Sequence, residues 1–357
     1  MTASAIDTPA HAALRAIGWP HAGDVPDGPW REAMAAHPQA APARVVEQHR
    51  TGYLVAQAPD EAVGVESLPE WQLPRCPPEQ RAAVGDWVLV EDGRVVLLLP
   101  RRTVIKRGAA GEHYRQQVIA ANIDRVLVVC GLDGDFNPRR IERYLLLVRG
   151  GGAEPLIVLT KADHDAAEVD AARAALADVV GAEVPVIAVN ARDADSAAAL
   201  APWLGAGVTA VLVGSSGAGK STLTNTLLGR ERMRTGEVRA SDDRGRHTTT
   251  HRALIPLPSG ACLIDTPGMR ELKPTGEEVI AENFTDIEAL AEQCRFRDCG
   301  HCNEPGCAVR AAVQAGTLDP ARFANFLKLS DEHAAAARQL EERRRNPQPT
   351  TGSRRRR

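Results

Sequence analysis

The chain has 357 residues, with 43 Lys and Arg against 46 Asp and Glu, so its net charge is only −3. Its 44% hydrophobic and 25% charged content is that of an ordinary globular chain, long enough for two or three cores. No stretch approaches the ~18 apolar residues of a membrane span, and no basic start leads into an apolar run as a secretion signal would. Membrane and secreted classes are therefore excluded, and a cytoplasmic protein, monomeric and without a membrane partner, is expected.

Residues 1–42, rich in Ala, Pro and His, read as a flexible leader. From 43 to 110 the pattern is short alternating strands separated by turns. Val88-Leu89-Val90 and Val95-Val96-Leu97 flank an Asp92-Gly93 pair, a strong hairpin signal. Four or five strands without a long helix predict a small β-barrel, with oligonucleotide binding one option and a purely structural role the other.

Between 120 and 275 apolar strands alternate with helices. The strands are Arg125–Cys130, Leu156–Thr160, Val184–Val189, Thr209–Val213 and Ala261–Ile264, and helices are expected over 139–149 and 166–180. Short runs of β-branched residues and leucine with helices between them predict a doubly wound α/β domain. Residues 276–345 return to helical patterning over 277–293, 308–314 and 320–345. The chain ends in a basic tail, 346–357, which follows Arg343-Arg344-Arg345 and carries Arg354 to Arg357. Such a tail suits a polyanion such as RNA.

The Thr209–Val213 strand runs into Gly214-Ser215-Ser216-Gly217-Ala218-Gly219-Lys220-Ser221, and a helix follows from Thr222. This is GxxxxGK[ST] in its required setting, strand before and helix after. The loop's backbone N–H groups converge on phosphates at a helix N-terminus. Lys220 is expected to reach the β- and γ-phosphates, and the Ser221 hydroxyl to ligate Mg²⁺. Asp265-Thr266-Pro267-Gly268, about 45 residues later, supplies the second part: Asp265 holds the magnesium shell through water and the Gly268 amide senses the γ-phosphate. Between them Thr248-Thr249-Thr250 offers a magnesium-completing threonine; the three leave its identity open, and Thr249 is favoured.

Thr160-Lys161-Ala162-Asp163 closes a buried strand and matches the guanine-reading pattern [NT]KxD. Asp163 would accept two hydrogen bonds from guanine that adenine cannot donate, and the Lys161 stem would pack over the base, a pairing able to reject the wrong base by ~10⁴–10⁵. Asn190-Ala191 closes the next strand, where GTPases often place Ser-Ala with backbone contacts to the guanine oxygen. These base-reading segments precede the phosphate loop by about 50 residues, whereas in an ordinary GTPase they follow it. The chain is therefore read as a circular permutation of that fold, with a new attachment close to Gly268.

Four of the seven cysteines lie between Cys294 and Cys307. Cys294, Cys299, His301 and Cys307 offer three thiolates and an imidazole, a closed tetrahedral set suited to structural zinc, with Cys302 as a fifth candidate.

This order of segments resembles the RsgA (YjeQ) family of circularly permuted, ribosome-dependent GTPases. The resemblance runs from about Ala43 to Leu340 and is carried most specifically by four stretches: Gln117–Asp124, Gly131-Leu-Asp-Gly-Asp-Phe-Asn137, Gly245-Arg-His-Thr-Thr-Thr-His-Arg252 and the cysteine cluster. Thr160 and Asn190 depart from the family's usual residues. The resemblance implies an oligonucleotide-binding (OB) β-barrel, a permuted GTPase centre and a C-terminal helical zinc-binding domain. It also implies GTP hydrolysis stimulated by the small ribosomal subunit, with contact to its rRNA, late in that subunit's maturation. The family's Cys, Cys, His, Cys pattern falls on Cys294, Cys299, His301 and Cys307 and leaves Cys302 as an additional thiol. Met269 stands directly after Gly268, where many GTPases carry a water-orienting glutamine, so another group must do that work. His247 is the candidate, and the family's corresponding histidine is taken as catalytic.

Overall fold

The computed structural model describes residues 9–21, 28–49, 52–73, 76–108, 116–163, 166–181, 183–231, 252–265 and 274–345. Two short helices, α1 (Pro9–Ala16) and α2 (Pro29–Ala36), come first. Both lie within residues 1–42, the span read from the sequence as a leader. Trp19 and Trp30 are each only 4% exposed, and Trp19 packs edge-on against both Trp30 and Trp87, with ring centroids 5.3 and 4.7 Å apart. Burying three indoles supplies the apolar surface that fixes this segment.

Five strands follow: β1 (Ala41–Gln48), β2 (Tyr53–Ala56), β3 (Ala62–Val65), then, after the single-turn helix α3 (Pro69–Gln72), β4 (Trp87–Glu91) and β5 (Arg94–Leu98). β1 pairs with both β2 and β4, β2 with β3 and β4 with β5, and a parallel bridge joins Glu66 to Arg94. Asp92 and Gly93 turn the β4–β5 hairpin at φ 49° and 74°, the left-handed pair that an Asp-Gly hairpin turn requires. Inside lie Val45, Val55, Trp71, Val88 and Val95. β6 (Val104–Gly108) pairs with β7 (Gln116–Ala121) in a separate two-stranded sheet.

Arg44 on β1 is fully buried. Its guanidinium donates to the carbonyls of Gly85 at 3.3 Å, Asn122 at 3.0 Å and Ile17. One side chain thus ties the N-terminal helices, the first strand group and the entrance to the next sheet together.

That sheet is built from β8 (Arg125–Gly131), α4 (Pro138–Gly150), β9 (Glu154–Thr160), α5 (Ala166–Val180), β10 (Val186–Ala188), α6 (Ala194–Ala197), β11 (Thr209–Val213), α7 (Lys220–Leu228), β12 (Ala253–Pro256) and β13 (Cys262–Asp265). The strand order is β10-β9-β8-β11-β13-β12, continued into β1, and every pair from β10 to β13 is parallel. Side chains alternate between two cores. Val126, Val128, Ile157, Leu159, Val211 and Val213 meet α4 and α5 through Leu145, Val148 and Leu176, while Leu127, Val129, Leu156, Val158 and Leu212 meet Leu200, Leu204, Leu223 and Leu228 on the other face. β11 comes late in the chain yet lies between the earlier β8 and the last strand, β13, as the permuted order requires.

The C-terminal helices are α8 (Thr285–Ala291), α9 (Ala308–Ala315) and α10 (Pro320–Arg345), packed through Phe284, Ile287, Val309, Leu318, Phe326 and Leu329. The helix expected over 277–293 forms only from Thr285, preceded by a 3₁₀ turn at Ile280–Asn283. Glu278 takes hydrogen bonds from the backbone of Thr275 and Gly276, and the Asn283 amide is drawn to the Glu142 carbonyl at 2.9 Å, so both side chains hold a loop instead. No described helix is long and apolar enough to cross a membrane.

Candidate nucleotide site and metal centre

The C-terminal ends of β10, β9, β11 and β13 carry the described nucleotide-site candidates, at the edge where open α/β sheets bind ligands. The phosphate loop leaves β11 at Gly214, where φ is 148° and an added Cβ would lie 2.2 Å from the Val129 carbonyl oxygen. Gly219 caps α7 in the left-handed region at φ 89°, and no side chain caps that helix. A helix N-terminus closed by glycine alone turns its first N–H groups toward an anion. Lys220 lies across the loop, its Nζ donating to the carbonyls of Gly214 at 2.9 Å and Ser215. Ser216, Gly217, Ala218, Ser221 and Thr222 complete the loop and the first turn of α7.

The base-reading strand abuts this loop. Thr160 is fully buried, and its hydroxyl donates to the Ala218 carbonyl at 2.7 Å. Lys161 adopts φ 61° directly after it, an uncommon value for a residue with a side chain and one that aims it away from the strand. Its ammonium pairs with Asp133. Asp163 is exposed and lines a cleft of about 470 Å³ together with Ala162, Ala188 and Asn190.

Asn190 performs a turn-forming role: its side-chain oxygen accepts the Arg192 amide at 3.0 Å, while its own amide donates to Ser196 Oγ at 2.8 Å. The Ala191 carbonyl accepts the Thr226 hydroxyl of α7 at 2.6 Å, so the second base-reading loop is tied to the phosphate-loop helix. Asp265 ends β13, which is hydrogen-bonded beside β11. The candidates His247, Thr249 and Gly268, with Thr248 and Thr250, lie outside the described residues.

Two acids that were not among the site candidates belong to this neighbourhood. Asp133 and Asp135 stand in the loop from β8 to α4, and Asp135 accepts from Ser215 Oγ in the phosphate loop and from Arg140. The signal was available: β8 is flanked by β9 and β11, so whatever follows it must sit between the two nucleotide loops.

In the C-terminal unit the donor atoms of Cys294, Cys299, His301 and Cys307 all lie within 4.8 Å of one another. Cys294 Sγ is 3.9 Å from Cys307 Sγ and 3.7 Å from His301 Nδ1, and Cys307 Sγ is 3.4 Å from that nitrogen. A tetrahedral zinc with Zn–S of about 2.3 Å needs ligand separations of about 3.8 Å, so the residues fit the ion. Cys302 is exposed, and its thiol turns to the Gly300 carbonyl at 3.4 Å instead.

A model of the RsgA GTPase family matches residues 98–275. The chain is 68% identical over 334 residues to the small ribosomal subunit biogenesis GTPase RsgA of Xanthomonas axonopodis pv. citri (strain 306), covering 93% of this chain and 92% of that protein. It is 67% identical over the same length to its counterpart in Xanthomonas oryzae pv. oryzae (strain MAFF 311018). Among solved structures, YjeQ from Thermotoga maritima aligns with a TM-score of 0.60 at 23% identity, over 83% of this chain and 98% of that one. YloQ, a circularly permuted GTPase, aligns with a TM-score of 0.54, also at 23% identity, over 87% of this chain and 98% of its own. These two likenesses establish the fold.

Proposed function

The chain belongs to the RsgA GTPase family, and from that membership we propose that it binds the small ribosomal subunit and hydrolyses GTP in response to it, late in that subunit's maturation. The observation that carries this is the bond from Thr160, which opens the segment 160–163 at the end of β9, to Ala218 of the phosphate loop, although that segment precedes the loop in the chain.

In the proposed site Asp163 accepts from the guanine edge, the Lys161 stem covers the base and the Ala191 backbone faces the guanine oxygen. Lys220 and the loop amides hold the phosphates. Ser221 and Thr249, with Asp265 acting through water, would hold Mg²⁺, which supplies charge neutralisation across the β- and γ-phosphates. The Gly268 amide reads the γ-phosphate, and His247 orients the attacking water, since Met269 cannot. Cys294, Cys299, His301 and Cys307 would hold one structural zinc, which with four protein ligands has no open position for catalysis.

An OB-type barrel for β1 to β5 is supported by the run of antiparallel pairings β3-β2-β1-β4-β5 and by one isolated parallel bridge from Glu66, just after β3, to Arg94 at the start of β5. The barrel, the zinc unit and the arginine-rich tail are proposed to grip rRNA, in a monomer working in the cytoplasm. The test is GTP turnover measured against rising small-subunit concentration. Turnover should start low and climb to saturation; a response that stayed flat as subunits were added would remove the ribosomal role.

A further inference from the structure

The loop Gly131-Leu132-Asp133-Gly134-Asp135-Phe136-Asn137 reaches both halves of the nucleotide site from a strand that belongs to neither. Asp133 accepts the Asp135 amide at 3.1 Å through Oδ1, which orients its carboxylate, and uses Oδ2 for the Lys161 ammonium. Burial would raise the Asp133 carboxyl, but the Lys161 ammonium and the Asp135 amide outweigh it and hold it below the usual carboxylate range. Gly131 leaves the space for this pair: a Cβ there would lie 3.0 Å from Asp133 Oδ1 and 3.2 Å from Lys161 Nζ. The loop is also fastened to its surroundings, because Asp135 takes the Ser215 hydroxyl on one side and Asn137 caps α4 through the amides of Arg139 and Arg140 on the other.

We propose that Asp133 is a positioning residue for nucleotide recognition: it pins the Lys161 ammonium so that the lysine's methylene stem is already laid along the face of the base. The inference rests on the GTPase reading of the site. A long lysine side chain gives up much rotamer freedom when ordered. A carboxylate that orders it in advance removes that cost from the binding step. Both side chains are partly exposed, at 34% for Lys161 and 44% for Asp133. The gain is therefore that of a screened ion pair.

The experiment is a double-variant cycle read by affinity for fluorescent GDP. Asp133→Asn should weaken binding about two- to fivefold, Asp133→Glu should recover part of it, and raised salt should shrink the difference. In a Lys161→Ala background, Asp133→Asn should add nothing. Unchanged affinity in Asp133→Asn would overturn the proposal, as would an equal loss with Lys161 already removed, since the acid would then act on the fold. A parent chain that bound no GDP would overturn the GTPase reading and this inference with it.

Discussion

Thr160 Oγ1 and the Ala218 carbonyl form a 2.7 Å hydrogen bond that joins the base-reading strand to the phosphate loop, 58 residues further along the chain. An asparagine usually opens this motif. Threonine serves because what the site needs there is a buried donor aimed at the loop. Replacing Thr160 by Val keeps the shape, removes that donor and leaves a buried carbonyl without it, at a cost of about 1–3 kcal/mol. GDP should dissociate at least about fivefold faster from Thr160→Val, and Thr160→Asn should retain the parent's rate. Stopped-flow release of a fluorescent GDP measures both, and equal rates for Val and the parent would show that the brace does nothing.

Asp163 supplies the test of base identity. It is exposed at the rim of the cleft that it shares with Ala162 and Asn190. An asparagine there can accept one of guanine's two hydrogen bonds but must set a donor against the other. Competition by GDP and ADP should show the preference for GDP reduced by at least about tenfold in Asp163→Asn. If the variant discriminates as the parent does, the permuted assignment of the base reader fails.

The sheet was legible because its signals are local. Thr209–Val213 and Ala166–Val180 stand as read, and the Asp92-Gly93 turn announced its hairpin. What escaped depends on partners far away in the chain. Trp19 and Trp30 gain their place from Trp87, and a mix of Ala, Pro and His around them looked like a leader. Arg44, a charge inside a strand, is tolerated only because three backbone carbonyls from separate segments surround it. Residues 277–284 have helical composition, yet Glu278 and Asn283 are engaged by loop and inter-unit hydrogen bonds. The site's own motifs could be read from spacing alone, whereas Asp133 and Asp135 required knowing which strands lie beside β8.

His247 is the proposed orienting group for water, because Met269 has no atom that can do so. Removing the imidazole should lower GTP turnover by about 10²–10⁴ and leave GTP affinity nearly unchanged. Single-turnover hydrolysis and equilibrium binding of a non-hydrolysable analogue separate the two effects. Equal losses in both would assign His247 to binding.

The grip of α4 on the C-terminal unit centres on a buried ion pair. Glu142 is 1% exposed and Arg322 4% exposed. The Arg322 guanidinium donates to Glu142, to both oxygens of Asp286 at 2.7 Å and to the Asn283 carbonyl at 3.2 Å. Breaking such a pair costs about 3–5 kcal/mol because a buried charge is left uncompensated, while replacing both partners by apolar residues can be nearly neutral. Glu142→Leu should lower the unfolding free energy read by urea titration by the lower end of that range, since Arg322 keeps Asp286, and Glu142→Leu with Arg322→Met should recover part of it. A Glu142→Leu variant as stable as the parent would mean that the pair contributes nothing to this interface.

The metal centre makes the sharpest contrast between neighbouring residues. Cys299 contributes a sulfur to a cluster whose donor atoms lie within 4.8 Å of one another, while Cys302, three residues on, faces solvent and its own loop. Structural zinc contributes about 10–16 kcal/mol to folding a small module, far more than the modest apolar core around Phe284 and Phe326 could replace. Cys299→Ser should thus lose the zinc and much of the helicity of 285–345, while Cys302→Ser keeps both. GDP binding should survive in each, because no cluster residue comes from the sheet that carries Lys220 and Asp163. Metal content by atomic absorption, far-ultraviolet circular dichroism before and after chelation, and GDP titration check the three parts. Helicity that withstood complete removal of the metal would show that this unit folds on its apolar contacts alone.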